Sequence, residues 1–142
     1  MEQTITLTPV EQRISDFIAR RVWAVVGASN DPAKYGNRIF RTLRAAGYRV
    51  YPVNPKGGEL DGAKIYPPLA DLPEKPDVVD IVVPPQVTEQ IVRQARELGI
   101  TRIWMQPGAE SEAAIRYCGE HGMQVVHDAC AMHFRRSWDQ DV

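Results

Sequence analysis

The apolar run Val22-Trp23-Ala24-Val25-Val26 breaks off abruptly into Gly27-Ala28-Ser29, and a helical pattern opens further on at Gly36-Asn37, with Ile39, Phe40 and Leu43 on one face. A strand, a glycine turn and a helix N-terminus are laid end to end. That arrangement offers unpaired backbone N–H donors and the positive end of a helix dipole to an anion such as phosphate. The spacing is not that of the usual dinucleotide fingerprint: Gly27-Ala28-Ser29-Asn30-Asp31-Pro32 lacks the second and third glycines of G-x-G-x-x-G.

The rest of the chain repeats the rhythm. Thr8-Pro9-Val10-Glu11 reads as a capping box with proline at the first helical position. Val10, Ile14, Phe17 and Ile18 line one side of the helix it starts. The first strand is Val22–Val26, and the second helix spans residues 36–46, with Gly47 as its left-handed cap. The second strand is Arg49–Val53, stopped by Asn54-Pro55. A glycine- and proline-rich loop over 56–68 follows, with one short strand near 64–66. The third strand, residues 78–83, is nearly continuous in β-branched residues, as for a strand buried on both faces. Pro84-Pro85 ends it. The next helix starts at Gln86 or Thr88, turns Val87, Ile91, Ala95 and Leu98 inward, and ends at Gly99. A fourth strand at Arg102–Met105, a Pro107-Gly108 turn, a helix over 110–120 and a fifth strand at Gln124–Val126 complete the pattern. The tail, 127–142, is expected to hold one short helix.

Strands separated by single helices imply right-handed crossovers and a parallel sheet. The expectation is an α/β, Rossmann-like three-layer sandwich. Its sheet has five mainly parallel strands in the order 3-2-1-4-5, within one domain over 1–142. In such sheets ligands sit at the C-terminal ends of the strands, which selects the loops that follow them.

The net charge of −1 gives no general drive toward nucleic acid or an anionic membrane. The apolar runs are too short to span a bilayer, and residues 1–4 lack the features of a signal peptide. Cys118 and Cys130 have no metal-like spacing, so free thiols in the cytoplasm are expected, with a disulfide between them left open.

Four loops carry the candidate chemistry. In the first, Gly27 and Ala28 permit close backbone approach and Ser29 offers a hydroxyl. Tyr35, Gly36 and Asn37 present N–H groups, with Lys34 and Arg38 beside them. The second reads Val53-Asn54-Pro55-Lys56, without the acid that bonds the ribose of NAD. Lys56 suits an extra phosphate on the ribose, which NADP and coenzyme A both carry. It is equally readable as a solvated loop lysine. The third, Val83-Pro84-Pro85, is a rigid ledge poor in N–H donors. The fourth, Met105-Gln106-Pro107-Gly108, offers a methionine, an amide and accessible backbone. Catalytic candidates are weak. His121 reads as a capping or surface histidine, and His127 and His133 match no standard metal spacing. Cys130 with His133 reads more readily as a buried cysteine near a surface histidine than as nucleophile and base. Arg135-Arg136 beside Trp138 is too little for a nucleic-acid patch.

Taken together, these loops resemble the coenzyme A-binding domain family, which includes small stand-alone proteins and the N-terminal domain of the succinyl-CoA synthetase alpha subunit. The resemblance spans roughly 20–132. It is carried by Val25-Val26-Gly27-Ala28-Ser29, Gly47-Tyr48-Arg49-Val50-Tyr51-Pro52-Val53-Asn54-Pro55, Ile65-Tyr66-Pro67-Pro68-Leu69-Ala70-Asp71-Leu72-Pro73 and Trp104-Met105-Gln106-Pro107-Gly108. It implies coenzyme A held along the strand ends. Gly27, Ser29 and Tyr35-Gly36-Asn37 would face the nucleotide phosphates, and Lys56 would match the synthetase lysine. Val83, Pro84 and Pro85 would match the proline ledge, and Met105, Gln106 and Pro107 the ligand loop. The first loop departs from the family pattern around 30–34. The synthetases carry their phosphorylated histidine in a further domain that these residues do not contain. The expectation is therefore a coenzyme A or acyl-CoA binder without catalysis of its own: a carrier, a sensor or the partner of an acyl-CoA enzyme, as monomer or homodimer. The alternatives are an NADP-dependent oxidoreductase and a redox or nucleotide-sensing regulator working through Cys130 or a protein partner.

Overall fold

The computed structural model describes residues 6–138. The expectations for residues 1–4 and for the last part of the tail lie outside them. Five helices and five long strands alternate as α1 (Pro9–Ile18), β1 (Val22–Val26), α2 (Tyr35–Ala45), β2 (Arg49–Val53), β5 (Val78–Ile81), α3 (Pro85–Glu97), β6 (Arg102–Met105), α4 (Glu112–Glu120), β7 (Gln124–Val126) and α5 (Ala131–Phe134). Between β2 and β5 lie a two-stranded antiparallel hairpin, β3 (Glu59–Leu60) and β4 (Ala63–Lys64), and a 3₁₀ turn at Leu69–Asp71. None of the helices described is long and apolar enough to cross a membrane.

The α/β class and the parallel sheet stand as expected, but the strand order does not. The sheet runs β2-β1-β5-β6-β7, which is 2-1-3-4-5 for the five long strands. Two residue-level facts explain why the third long strand cannot lie outside the second. Proline has no N–H for a ladder, so within sheets it belongs on an edge. The Pro52 carbonyl points away from β1 and accepts from Tyr66 N–H at 2.9 Å, so its nitrogen also faces the outer edge. A long strand paired there would lose a ladder bond. Val78–Ile81, by contrast, is buried at every position, as the middle of a sheet requires.

The sheet separates two apolar cores. On one side α1, α2 and α5 cover Trp23, Val25, Val78 and Trp104. On the other, α3 and α4 cover Ala24, Val26, Val79, Ile81 and Ile103. Strand residues alternate between the cores with the period of two that the pleat imposes. Cys118 lies in the α3–α4 core, whereas Cys130 precedes α5 on the other face, and both are free thiols. The disulfide left open by the sequence does not form.

Candidate functional site

The chain reverses its winding direction between β1 and β5, and the crevice at that switch point is where an open α/β sheet binds its ligand. Gly27 ends β1 there with φ +104°, and its N–H donates to Val53 O at 2.8 Å. A Cβ on Gly27 would lie 2.5 Å from Val82 O, so the turn and the end of β5 are in backbone contact. A Cβ on Gly36 would lie 2.2 Å from Gly27 O. The first turn of α2 thus rests directly on the glycine turn, and only glycine at both positions allows it.

The loop between them is organised by its own polar groups. Ser29 Oγ accepts from Asp31 N–H, and Asp31 Oδ1 accepts from Ala33 N–H. Asn37, almost fully buried, donates to Ser29 O at 2.8 Å, and Asn54 donates to Ala28 O at 3.0 Å. The two asparagines tie down the Ser29 and Ala28 carbonyls. At the start of α2, Lys34 makes no side-chain cap and the first turn holds no acid. Among the described residues nothing accepts from the N–H groups of Tyr35, Gly36 or Asn37. α1 and α4 differ: Thr8 with Glu11 caps the first, and Ser111 with Glu112 in the first turn serves the second.

The second loop holds no acid, as read from the sequence. Asn54 Oδ1 accepts from Lys56 N–H, and the Lys56 side chain is exposed. Lys34 and Arg38 are exposed on the same rim as the α2 start. Across the crevice an open cavity of about 440 Å³ is lined by Tyr35, Val82, Val83, Pro84, Pro85, Pro107, Gly108 and Ala109. The ledge, the last turn and the α2 tyrosine therefore share one wall. Pro85 opens α3, and the Val87 and Thr88 N–H groups return to Pro84 O, so that helix start keeps fewer free donors than α2.

Met105 and Gln106 sit differently from expectation: both side chains are fully buried. Met105 packs in the α3–α4 core, and Gln106 reaches beneath the crevice to Asp80. What their loop presents is Pro107, Gly108 and backbone. Sequence reading also passed over Asp80, Thr88 and Val82. A lone acid inside a β-branched run was the available signal for Asp80. Thr88 Oγ1 donates to Ala109 O at 2.7 Å and binds α3 to the lip of the cavity.

Cys130 is 9% exposed, and its thiol lies 2.8 Å from the Tyr35 hydroxyl. Burial, with the Cys130 contact, pushes the Tyr35 phenol up to about 12. His133 meets Cys130 through backbone alone, N–H to O at 3.0 Å, which supplies no base to the thiol. His127 pairs with the adjacent Asp128. Among the described residues, no group of three His, Cys, Asp or Glu side chains converges as a metal site.

A larger cavity of about 830 Å³ lies elsewhere, between α1 and the segment after α5, where Leu7, Ile14, Ile18 and Phe134 line it. It is bigger but lacks an open helix start: the α1 N-terminus beside it is capped.

The profile described as CoA binding domain matches residues 21–135. The chain belongs to that family. The match begins before the glycine turn and ends after Cys130, so it spans every loop described above. The acetate–CoA ligase (ADP-forming) II subunit alpha of Pyrococcus furiosus is 30% identical over 125 residues, which cover 80% of this chain and 27% of that protein. The chain thus spans little more than a quarter of that relative. Among solved structures, a hypothetical protein from Pyrococcus horikoshii OT3 is 35% identical with a TM-score of 0.84, covering 94% of this chain and 96% of its own. A conserved hypothetical protein from Pyrococcus furiosus is 43% identical with a TM-score of 0.77, covering 80% and 97%. This CoA-binding domain therefore matches both short chains over nearly their whole length and a ligase subunit over part of its length.

Proposed function

We propose that this CoA-binding domain holds coenzyme A or an acyl-CoA across the C-terminal ends of β1, β2, β5 and β6, without chemistry of its own. In this reading it serves as carrier, sensor or partner of an acyl-CoA enzyme. The observation that carries the reading is the open, acid-free α2 start seated on the Gly27 turn. It supplies N–H donors and a positive dipole where a diphosphate needs them. The ribose phosphate falls to Lys56, with Lys34 and Arg38 adding positive charge on the rim. The pantetheine arm follows the wall of Val83, Pro84, Pro85 and Pro107, which offers apolar surface and few donors.

The absence of an acid after β2 speaks against NAD. The Asn54 amide at that place is neutral and is held in the loop by Ala28 O and Lys56 N–H. Two free thiols on opposite faces of the sheet accord with a reducing, cytoplasmic setting.

Titration calorimetry tests the reading. Coenzyme A should bind saturably at one site, and Lys56→Glu should weaken binding by about tenfold, a loss of one charge-assisted contact. Dephospho-coenzyme A should bind the parent protein about as weakly as coenzyme A binds the variant. Absence of saturable heat at millimolar coenzyme A would contradict the proposal.

A further inference from the structure

Asp80 sits in the middle of β5, the central strand, in register between Val25 of β1 and Trp104 of β6. Its neighbours Val79 and Ile81 point into the α3–α4 core, so the strand's alternation turns Asp80 toward α2 and α5. Both Asp80 and Gln106 have zero exposure. Gln106 Nε2 lies 2.8 Å from one carboxyl oxygen and 3.0 Å from the other. No other described residue donates to Asp80, and no cation pairs with it. Gln106 Oε1 is buried with no hydrogen-bond partner among the described residues.

As an ion, Asp80 would be a fully desolvated charge answered by one neutral donor, and the orphaned amide oxygen would add its own cost. A single proton removes both problems. We propose that Asp80 and Gln106 form a reciprocal acid–amide pair: Asp80 keeps its proton through neutral pH and donates it to Gln106 Oε1, while Gln106 Nε2 donates back to the other carboxyl oxygen. A small rotation of the amide, from straddling both oxygens to facing one, completes the two bonds. Turning the amide end for end does not remove the need. It would put Oε1 against the carboxyl oxygens, one of which would then have to carry the proton.

The surroundings agree. Burial pushes the Asp80 carboxyl up to about 8, against the lowering pull of the Gln106 bond. The titratable groups facing this side are Tyr35 from α2 and the Cys130 thiol before α5, which bond to each other. Arg38 acts on Tyr35 but is exposed and makes no bond to Asp80.

Gln106 is the residue before the Pro107-Gly108 lip, and its N–H donates to Ile81 O at 3.0 Å. The acid–amide pair adds a second, side-chain tie between the lip and β5. Resting on the coenzyme A reading above, this makes Asp80 a positioning residue for the wall that the ligand follows.

Carbon-13 NMR of the whole chain labelled at aspartate carboxyls is the test. One carboxyl, assigned by its loss in Asp80→Asn or by its contact to the Gln106 side-chain amide, should titrate near pH 8, long after ordinary aspartates at about 3.9. Asp80→Asn keeps a reciprocal pair but has no carboxyl to titrate, so its coenzyme A affinity should not follow the Asp80 titration. Between about pH 7 and 9 the parent should lose affinity several-fold relative to Asp80→Asn. An Asp80 carboxyl already ionised at about pH 6 overturns the pair. A coenzyme A affinity that changes with pH identically in the parent and in Asp80→Asn between about pH 7 and 9 overturns the positioning role. If coenzyme A does not bind the parent at all, the coenzyme A reading fails while the titration still decides the pair.

Discussion

Single residues decide whether the crevice exists. At Gly27 a side chain would face both a left-handed backbone and the Val82 carbonyl, and at Gly36 it would enter the Gly27 carbonyl. Gly27→Ala and Gly36→Ala should each cost about 3 kcal/mol or more, read as a lowered urea midpoint, because the obstacle is backbone that cannot move aside. Asp80 makes a prediction of opposite kind. Its folded carboxyl is raised to about 8, so the native state holds a proton that the unfolded chain has released. Stability relative to Asp80→Asn should therefore be highest below about pH 4. It should fall by about 1.4 kcal/mol per pH unit as pH rises toward 8, then level off. Denaturant titrations of the two proteins across that window check the sign. A difference that does not change with pH would rule out the shift. The glycines were legible because a strand, a turn and a helix in sequence demand them. Asp80 was not, since alternation assigns a face but not the partner waiting on it. Gln106 was misread for the same reason: its amide is used inside the fold, on an acid that lies in another strand.

At the scale of elements, α2 stands apart from α1 and α4, whose starts are closed by side-chain caps. An uncapped helix start forgoes stability that a ligand can restore. Lys34→Asp should close it, raising stability by about 1 kcal/mol through the cap and the dipole. The same change should weaken coenzyme A about tenfold or more by repelling the diphosphate. Thermal melts and calorimetry on one preparation read both, and a variant that gains stability without losing affinity would move the phosphates away from α2. The boundaries of these elements were largely readable, because caps, prolines and apolar periods are local. Strand order was not, because it depends on which edge of β2 stays unpaired. The clue was Pro52, whose missing N–H excludes a long neighbour on that side; the short contact with Tyr66 is what the edge accommodates instead.

Over the whole molecule, the sheet divides two cores and gathers the β1, β2, β5 and β6 loops at one end. The two cysteines fall on opposite sides of that sheet. Cys118 is fully buried, and burial pushes its thiol up to about 11. Thiol reagents should leave it unmodified in the native protein and modify both cysteines after unfolding, a difference that mass spectrometry reads directly. Among the described residues, the crevice at the strand ends competes for a ligand with the larger groove between α1 and the segment after α5. Volume favours the groove, while free N–H donors, the flanking cations and the family match favour the crevice. Mapping backbone amide shifts by NMR as coenzyme A is added separates them most directly. Saturable shifts are expected at Gly27, Ala28, Ser29, Tyr35, Gly36 and Asn37, extending to Lys56 and Gly108. Shifts confined to Leu7, Ile14, Ile18 and Phe134, with the glycine turn unmoved, would contradict binding in the crevice.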